Sequence, residues 1–239
     1  MPLSLQHRRV GDITVVKCIG RIVEGAESAA LKQYLDDLLR DYSDIILDLD
    51  EVQFIDSGGL GLLVRLHTRA RAANGDLKLC AVPAKIGEVL RITHLSTIFE
   101  SHGSEAEAIS AFYQPSKSSG VPYRFDTDIL CVETSADVLA YVRELLKQAG
   151  YGVTTADNLP DALTLLNATR PKMVVISADL RAATGTQTAD AFQRLADARS
   201  VVELPADFSS HDAGEAGHQL LDQIRALMGP GGRPAPAAL

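Results

Sequence analysis

A short run near the middle of the chain, Gln114-Pro115-Ser116-Lys117-Ser118-Ser119-Gly120-Val121-Pro122, divides the sequence into two segments that must each build a core. Pro, Ser and Gly dominate it, and such a run buries too little apolar surface to order itself. A linker is expected over 114–126, with one domain over 1–113 and a second over 127–229, each the size of an ordinary small domain. From Gly229 onward Pro and Gly recur at short intervals, and a disordered tail is expected over 230–239.

Both segments alternate strand-like and helix-like patterns. In the first, the β-branched run Ile13–Ile19 reads as a strand. Leu31, Leu35, Leu38 and Leu39 form one face of a helix. Ile45-Ile46-Leu47-Asp48-Leu49 is a near-continuous apolar strand, the pattern of a sheet covered by helices. A helix follows through Leu60, Leu63, Val64 and His67, then a strand over 77–81, a helix through Ile86, Val89 and Leu90, and a helix over Glu105–Ala111. The second segment reads as strand 128–132, helix 135–149 capped by Ser135 and stopped by Gly150, and strand 152–155. A helix capped by Asn158, strand 172–176, a weaker helix 188–196, strand 200–204 and a closing helix 217–228 complete it. This βαβαβ alternation implies an open parallel sheet with helices on both faces.

Composition narrows the function classes. The net charge is −8 and Lys and Arg do not cluster; a nucleic-acid partner needs a concentrated basic face and is not expected. No stretch approaches about 18 apolar residues, and Met1–Val10 has no apolar signal region, so a cytoplasmic protein with no membrane partner is expected. Cys18, Cys80 and Cys131 lie far apart in apolar runs, where Cys behaves as a small hydrophobe; an odd count suits a reducing compartment. No CxxC pair occurs, and the six histidines show no ligand spacing, so no metal or cofactor is expected.

The most informative stretch is Phe54-Ile55-Asp56-Ser57-Gly58-Gly59-Leu60-Gly61. An apolar strand ends at Ile55 and a helix begins near Gly59, leaving Asp56 and Ser57 at the junction. A side-chain oxygen there accepts from the free N–H groups of the first turn. A phosphate on Ser57 would add about −1.5 to −2 charges at the positive end of a helix. Such a charge is tolerated by the fold and disruptive to a docked partner. Gly58, Gly59 and Gly61 are read as leaving the backbone open to a partner's approach. Spacing alone also admits a plain helix cap with turn glycines. The run lacks the Lys and the spacing of a phosphate-cradling loop.

This stretch resembles the signature of STAS domains, the anti-sigma-factor antagonists. Gly20-Arg21-Ile22, Leu77-Lys78-Leu79 followed by Val82-Pro83, and Leu90-Arg91-Ile92-Thr93-His94-Leu95 through Ile98-Phe99 resemble further family segments in the family's order, over roughly residues 8–113. Gly58 stands where many members have a second serine, and His94 where a glycine is common. The resemblance implies a mixed sheet with helices on one side. It also implies phosphorylation of Ser57 by an anti-sigma factor serine kinase, a phosphatase as a further partner, and a contact surface comprising Asp56, Ser57, Gly58, Gly59 and Leu60.

The second segment, with Ile129–Ser135 and Met173-Val174-Val175-Ile176-Ser177, resembles a response-regulator receiver. That family uses an acidic pair after its first strand, an acceptor Asp after its third and a Lys before Pro late in the chain. Here those positions hold Glu133-Thr134, Ser177 and Leu204-Pro205, and Asp179 lies two residues beyond the acceptor position. Ser177 to Ser200 is too short for helix, strand and helix. The expectation is an abbreviated doubly wound receiver-like domain without phosphoryl chemistry, serving interaction or assembly. A homodimer contact through Ala191, Phe192 and Leu195 and burial of Phe192 in its own core are both open.

Taken together, the residues favour a phosphorylation-controlled binding switch that is not an enzyme. A catalyst in the second segment would need a Gly-rich strand–helix turn or paired catalytic carboxylates, and neither occurs. The alternative is a STAS scaffold of a stressosome or lipid-transport complex that acts without phosphorylation.

Overall fold

A computed structural model describes residues 2–114, 127–205, 208 and 213–228. The linker expected over 114–126 falls outside them beyond Gln114, and the tail expected over 230–239 lies outside them entirely. The chain separates into two compact units, Met1–Ile109 and Ser110–Leu239.

The first unit is a five-stranded mixed sheet. Strand β1 (Ser4–Val10) runs antiparallel to β2 (Ile13–Ile22) across the tight turn at Gly11, and β3 (Asp44–Ile55), β4 (Asp76–Cys80) and β5 (Ser101–His102) continue in parallel, in the order β1-β2-β3-β4-β5. Helices α1 (Ala26–Asp41), α2 (Ser57–Ala72) and α3 (Ala84–Ile92) connect the parallel strands. One sheet face presents Val16, Cys18, Ile45, Leu47, Leu77 and Leu79, and these are buried with Leu31, Leu35, Leu63, Leu66, Ile86 and Leu90 of those three helices. Burying branched apolar side chains between a sheet and its helices is the main stabilising term of such a unit.

The expectation of helices on one side needs correction. A fourth helix, α4 (Glu105–Tyr113), lies over the opposite face. Its Glu105 forms an ion pair with Arg8, and Arg8 stands opposite Val15 in the β1–β2 ladder, on the face away from Val16 and Cys18. Ala108 and Ile109 are buried. That face also buries Val15, Ile46 and Lys78, so bare exposure to water was not an option for it.

The second unit is a parallel sheet of β6 (Ile129–Val132), β7 (Val153–Ala156), β8 (Met173–Ser177) and β9 (Ser200–Leu204), ordered β7-β6-β8-β9. Helices α5 (Ala136–Gln148) and α9 (Ala213–Met228) cover one face: Val138, Val142, Leu146, Leu220 and Ile224 are buried with Ile129, Cys131, Met173 and Val175. The alternate residues Leu130, Val132, Val174 and Ile176 are equally buried, as are Ala162, Leu165 and Leu166 of α6 (Leu159–Thr169) and Ala189, Phe192 and Ala196 of α8 (Gln187–Ala196). Between Ser177 and Ser200 the chain forms a short helix α7 (Ala178–Ala182) and then α8, with no strand between them. Phe192, 1% exposed, is a core residue of this unit. Of the two openings left by the sequence, burial in its own core is the one the fold adopts, and the contact expected through Ala191, Phe192 and Leu195 loses its aromatic member.

All three thiols are buried, and burial pushes each thiol pKa up to about 12, because a thiolate is not solvated there. Among the described residues, no helix is long and apolar enough to cross a membrane, and no group of three or more His, Cys, Asp or Glu side chains gathers to hold a metal.

Candidate functional site

Strand β3 delivers the site. It runs past the end of β4, which pairs only with Asp44–Asp48, and ends at Ile55 beside Ile22 of β2. Asp56 then caps α2. Its carboxylate accepts from the Gly59 N–H at 2.8 Å and, through the other oxygen, from the Glu24 N–H at 2.9 Å. Its own N–H donates to the Ile22 carbonyl at 3.3 Å, and its carbonyl accepts from the Leu60 N–H at 2.9 Å. One residue therefore ties together the end of β2, the loop before α1 and the first turn of α2. The N–H groups of Gly59 and Glu24 hold the Asp56 carboxyl below the usual carboxylate range, because they favour the charged form.

With Asp56 spent on the cap, Ser57 is left as the first helical residue, exposed. Among the described residues no partner holds its hydroxyl. Phe54, three residues earlier on β3, is 53% exposed. The three glycines that follow Ser57 make room for three different groups. A Cβ on Gly58 would stand 2.7 Å from the Glu24 Cβ, one on Gly59 would stand 2.3 Å from the Ile22 carbonyl oxygen, and one on Gly61 would meet only the Arg65 Nη1, at 3.5 Å. The first two distances are prohibitive and the third is ordinary contact. Gly59 and Leu60 are buried, Leu60 being 7% exposed, so of the contact surface expected at Asp56, Ser57, Gly58, Gly59 and Leu60 only the first three reach solvent. The glycine at Gly59 serves internal packing rather than a partner's approach.

Sequence reasoning missed Glu24 and Arg65, which stand against Gly58 from the loop before α1 and against Gly61 from one turn along α2. Arg65 follows from a directional rule, since long helical side chains lean toward the helix N-terminus, here over Gly61. Glu24 carries no such signal. Beside the site, between the far half of β3 and the start of α3, lies a groove of about 600 Å³ whose lining includes Ile19, Asp50, Glu51, Gln53, Pro83 and Lys85; Glu51 is already paired with Lys17 at 2.6 Å.

The four positions singled out in the second unit gather at one end of its sheet. Ser177 is the ladder partner of Leu204, and Glu133 follows Val132, the ladder partner of Ile176. Glu133 is engaged locally: its carboxylate accepts from the Ser135 N–H at 2.8 Å and from the Thr134 hydroxyl at 3.2 Å. Ser177 is buried with no hydrogen-bond partner for its hydroxyl among the described residues, Leu204 is 1% exposed, Thr134 is exposed, and Asp179 is exposed on α7.

Comparison with known proteins places the first unit. The STAS domain model matches residues 4–108. BtrV of Bordetella bronchiseptica, which carries the name of an anti-sigma factor antagonist, is 26% identical over 102 residues, 42% of this chain and 88% of its own. An anti-sigma F factor antagonist of Paenibacillus polymyxa is 22% identical over 112 residues, 46% of this chain and 93% of its own. The crystal structure of an anti-sigma factor antagonist from Mycobacterium paratuberculosis aligns with a TM-score of 0.41 at 22% identity, over 46% of this chain and 92% of its own. The N-terminal half of the chain carries a STAS domain whose relatives are anti-sigma factor antagonists.

Proposed function

We propose that the first unit is a protein-interaction switch of the anti-sigma-factor-antagonist type, turned by phosphorylation of Ser57 by a partner serine kinase. The observation that carries this reading is the division of labour at the turn. Asp56 satisfies the helix cap, so the Ser57 hydroxyl is exposed and has no structural task. The kinase transfers the γ-phosphoryl group of ATP to the Ser57 oxygen, the hydroxyl proton leaves to a base on the kinase, and ADP departs. The phosphate changes the surface without touching the cap or the core. Phe54 beside it offers a partner an apolar anchor, and aromatic anchors commonly dominate binding energy.

We read the second unit as a receiver-like module without phosphoryl chemistry, used for interaction or assembly. Its strand order, second-first-third-fourth, is the start of the order common in that doubly wound class. Hard Mg²⁺ binds through carboxylate oxygens, and the positions where such a site would lie hold a locally engaged Glu133, the hydroxyl of Thr134, a buried Ser177 and an apolar Leu204.

The switch is tested with the cognate kinase and its binding equilibrium. Ser57→Ala should bind the unmodified partner as the wild type does and resist phosphorylation. Ser57→Asp should bind about 30-fold or more weakly, since an uncompensated interface charge costs about 2–5 kcal/mol. Equal affinity of wild type, Ser57→Ala, Ser57→Asp and the kinase-treated protein would sink the switch and leave the unphosphorylated scaffold as the reading.

A further inference from the structure

We propose that Arg65 holds the phosphate of phosphorylated Ser57, its guanidinium reaching across the gap that Gly61 leaves open. This rests on Ser57 being the modified residue and adds the countercharge to that site. Ser57 and Gly61 stand one helical turn apart, so their Cβ positions are neighbours at about 5–6 Å. The Arg65 side chain leans back along α2, and its Nη1 lies 3.5 Å from the place a Cβ on Gly61 would occupy. Outside its chain neighbours, no other side chain comes within 4 Å of that place.

Arg65 is also the arginine of α2 that is available. Arg69 is engaged by Asp36, and Arg71 by Asp76 at 3.1 Å. Arg65 is exposed and has no ion-pair or hydrogen-bond partner among the described residues. Two carboxylates at this end of the unit oppose a phosphate. Asp56 is adjacent in sequence, and the Glu24 carboxylate oxygen lies 3.2 Å from where a Gly58 Cβ would stand. A dianion on Ser57 sits beside two carboxylates, and a guanidinium with a planar fork of donors is the group suited to offset it. Arg21, exposed on β2 with Phe54 as its ladder partner, is the competing cation.

The test uses the full chain with phosphoserine encoded at position 57, so that no kinase is needed, and follows the ³¹P chemical shift against pH at low salt. Phosphoserine loses its second proton near pH 6, and a cation a few ångströms away lowers that pKa. Arg65→Gln should raise it by about half a unit, while Arg40→Gln, an equal change in net charge on α1, should leave it in place. In about 1 M salt the Arg65→Gln difference should collapse. Coincident curves for wild type and Arg65→Gln at low salt would overturn the assignment, as would a shift produced by Arg21→Gln and not by Arg65→Gln. The outcome is independent of the kinase: a protein that no kinase labels would fail as a switch and still report on Arg65, and coincident curves would remove Arg65's role without touching the switch.

Discussion

A methyl group at Gly59 would stand 2.3 Å from the Ile22 carbonyl oxygen and 2.9 Å from the Ile55 Cγ1, whereas one at Gly61 would have the end of a flexible arginine 3.5 Å away. The two glycines are two residues apart in the same helix, so substituting each by alanine separates packing from propensity. Gly61→Ala should stabilise the unit by about 1 kcal/mol, the usual advantage of alanine over glycine in a helix. Gly59→Ala gains the same propensity and must push the end of β2 away from α2, which should cost about 2–3 kcal/mol net. Urea unfolding of both variants checks this. If the two shift stability in the same direction, the close approach of α2 to Ile22 is not what Gly59 is for. The same residues carry a functional consequence. Asp56 spans β2, the loop before α1 and the start of α2 through four bonds, so the hydroxyl next to it can be modified without loosening any of those elements.

At the level of elements, the start of β4 is fixed by charges as much as by its apolar core residues. Asp76 receives Arg71 of α2 at 3.1 Å, His67 of α2 at 3.5 Å and Lys78 at 3.6 Å. Lys78 is 2% exposed and also paired with Glu100, which leads into β5. Burial by itself would push the Asp76 carboxyl up; the hydrogen bond to His67 and the charges of Lys78 and Arg71 outweigh it and hold the carboxyl below its ordinary value. A carboxyl depressed in the folded state stabilises the fold above its unfolded pKa, near 4, and that contribution is lost as pH falls through the lower folded pKa. Asp76→Asn should therefore cost about 2 kcal/mol at pH 7, since it weakens the pairing of a buried ammonium that keeps a second partner. The gap to wild type should narrow below pH 4. Denaturant titrations at pH 7, 5 and 3.5 measure it; a gap that stays constant with pH would mean the carboxylate charge is not what stabilises β4.

How far these elements were legible follows from what each one buries. The strands read at 45–49 and 172–176 and the caps at Ser135 and Asn158 read correctly, the second strand to within one residue, because their pattern is local: apolar runs, and a hydroxyl or amide just before a periodic helix. Strand β1 was not legible. Ser-Leu-Gln-His-Arg-Arg-Val is an exposed edge strand whose only strong instruction is to pair with β2, and pairing between segments leaves no local signature. The helix of α4 was legible, but the sheet face it covers, marked by the Arg8–Glu105 pair across 97 residues of chain, was not, and neither was the charged cluster on Asp76. At the site, the helix junction at Asp56 and Ser57 was legible, and Asp56 is its cap, while the inward role of Gly59 was not, since a glycine that clears a partner and one that clears its own backbone look alike in sequence.

At the scale of the whole molecule, two units with parallel strands present residues at the carboxyl ends of those strands, and the chemistry available there differs between them. In the first, an exposed serine hydroxyl stands at a helix start with its neighbouring carboxylate already committed. In the second, the corresponding sheet end holds a buried hydroxyl at Ser177, an apolar Leu204 and a Glu133 engaged with Ser135. Phosphoryl transfer from a small donor depends on positioning and on charge neutralisation, by metal ions in particular, and a serine without an activating base is a weak nucleophile. Incubation of the full chain with acetyl phosphate and Mg²⁺ should therefore leave residues 127–228 unlabelled, at pH 7 and with the metal raised tenfold. Incubation with ATP and the cognate serine kinase should place one phosphate, at Ser57. The two labels are also distinguishable chemically, because a phosphoserine ester survives acid and an acyl phosphate on a carboxylate does not. Peptide mapping by mass spectrometry, with and without acid treatment of the labelled chain, tells them apart. Phosphate recovered on the second unit from acetyl phosphate would mean that a carboxylate such as the exposed Asp179 reaches the chemistry after all, and the reading of that unit as an interaction module would have to be given up.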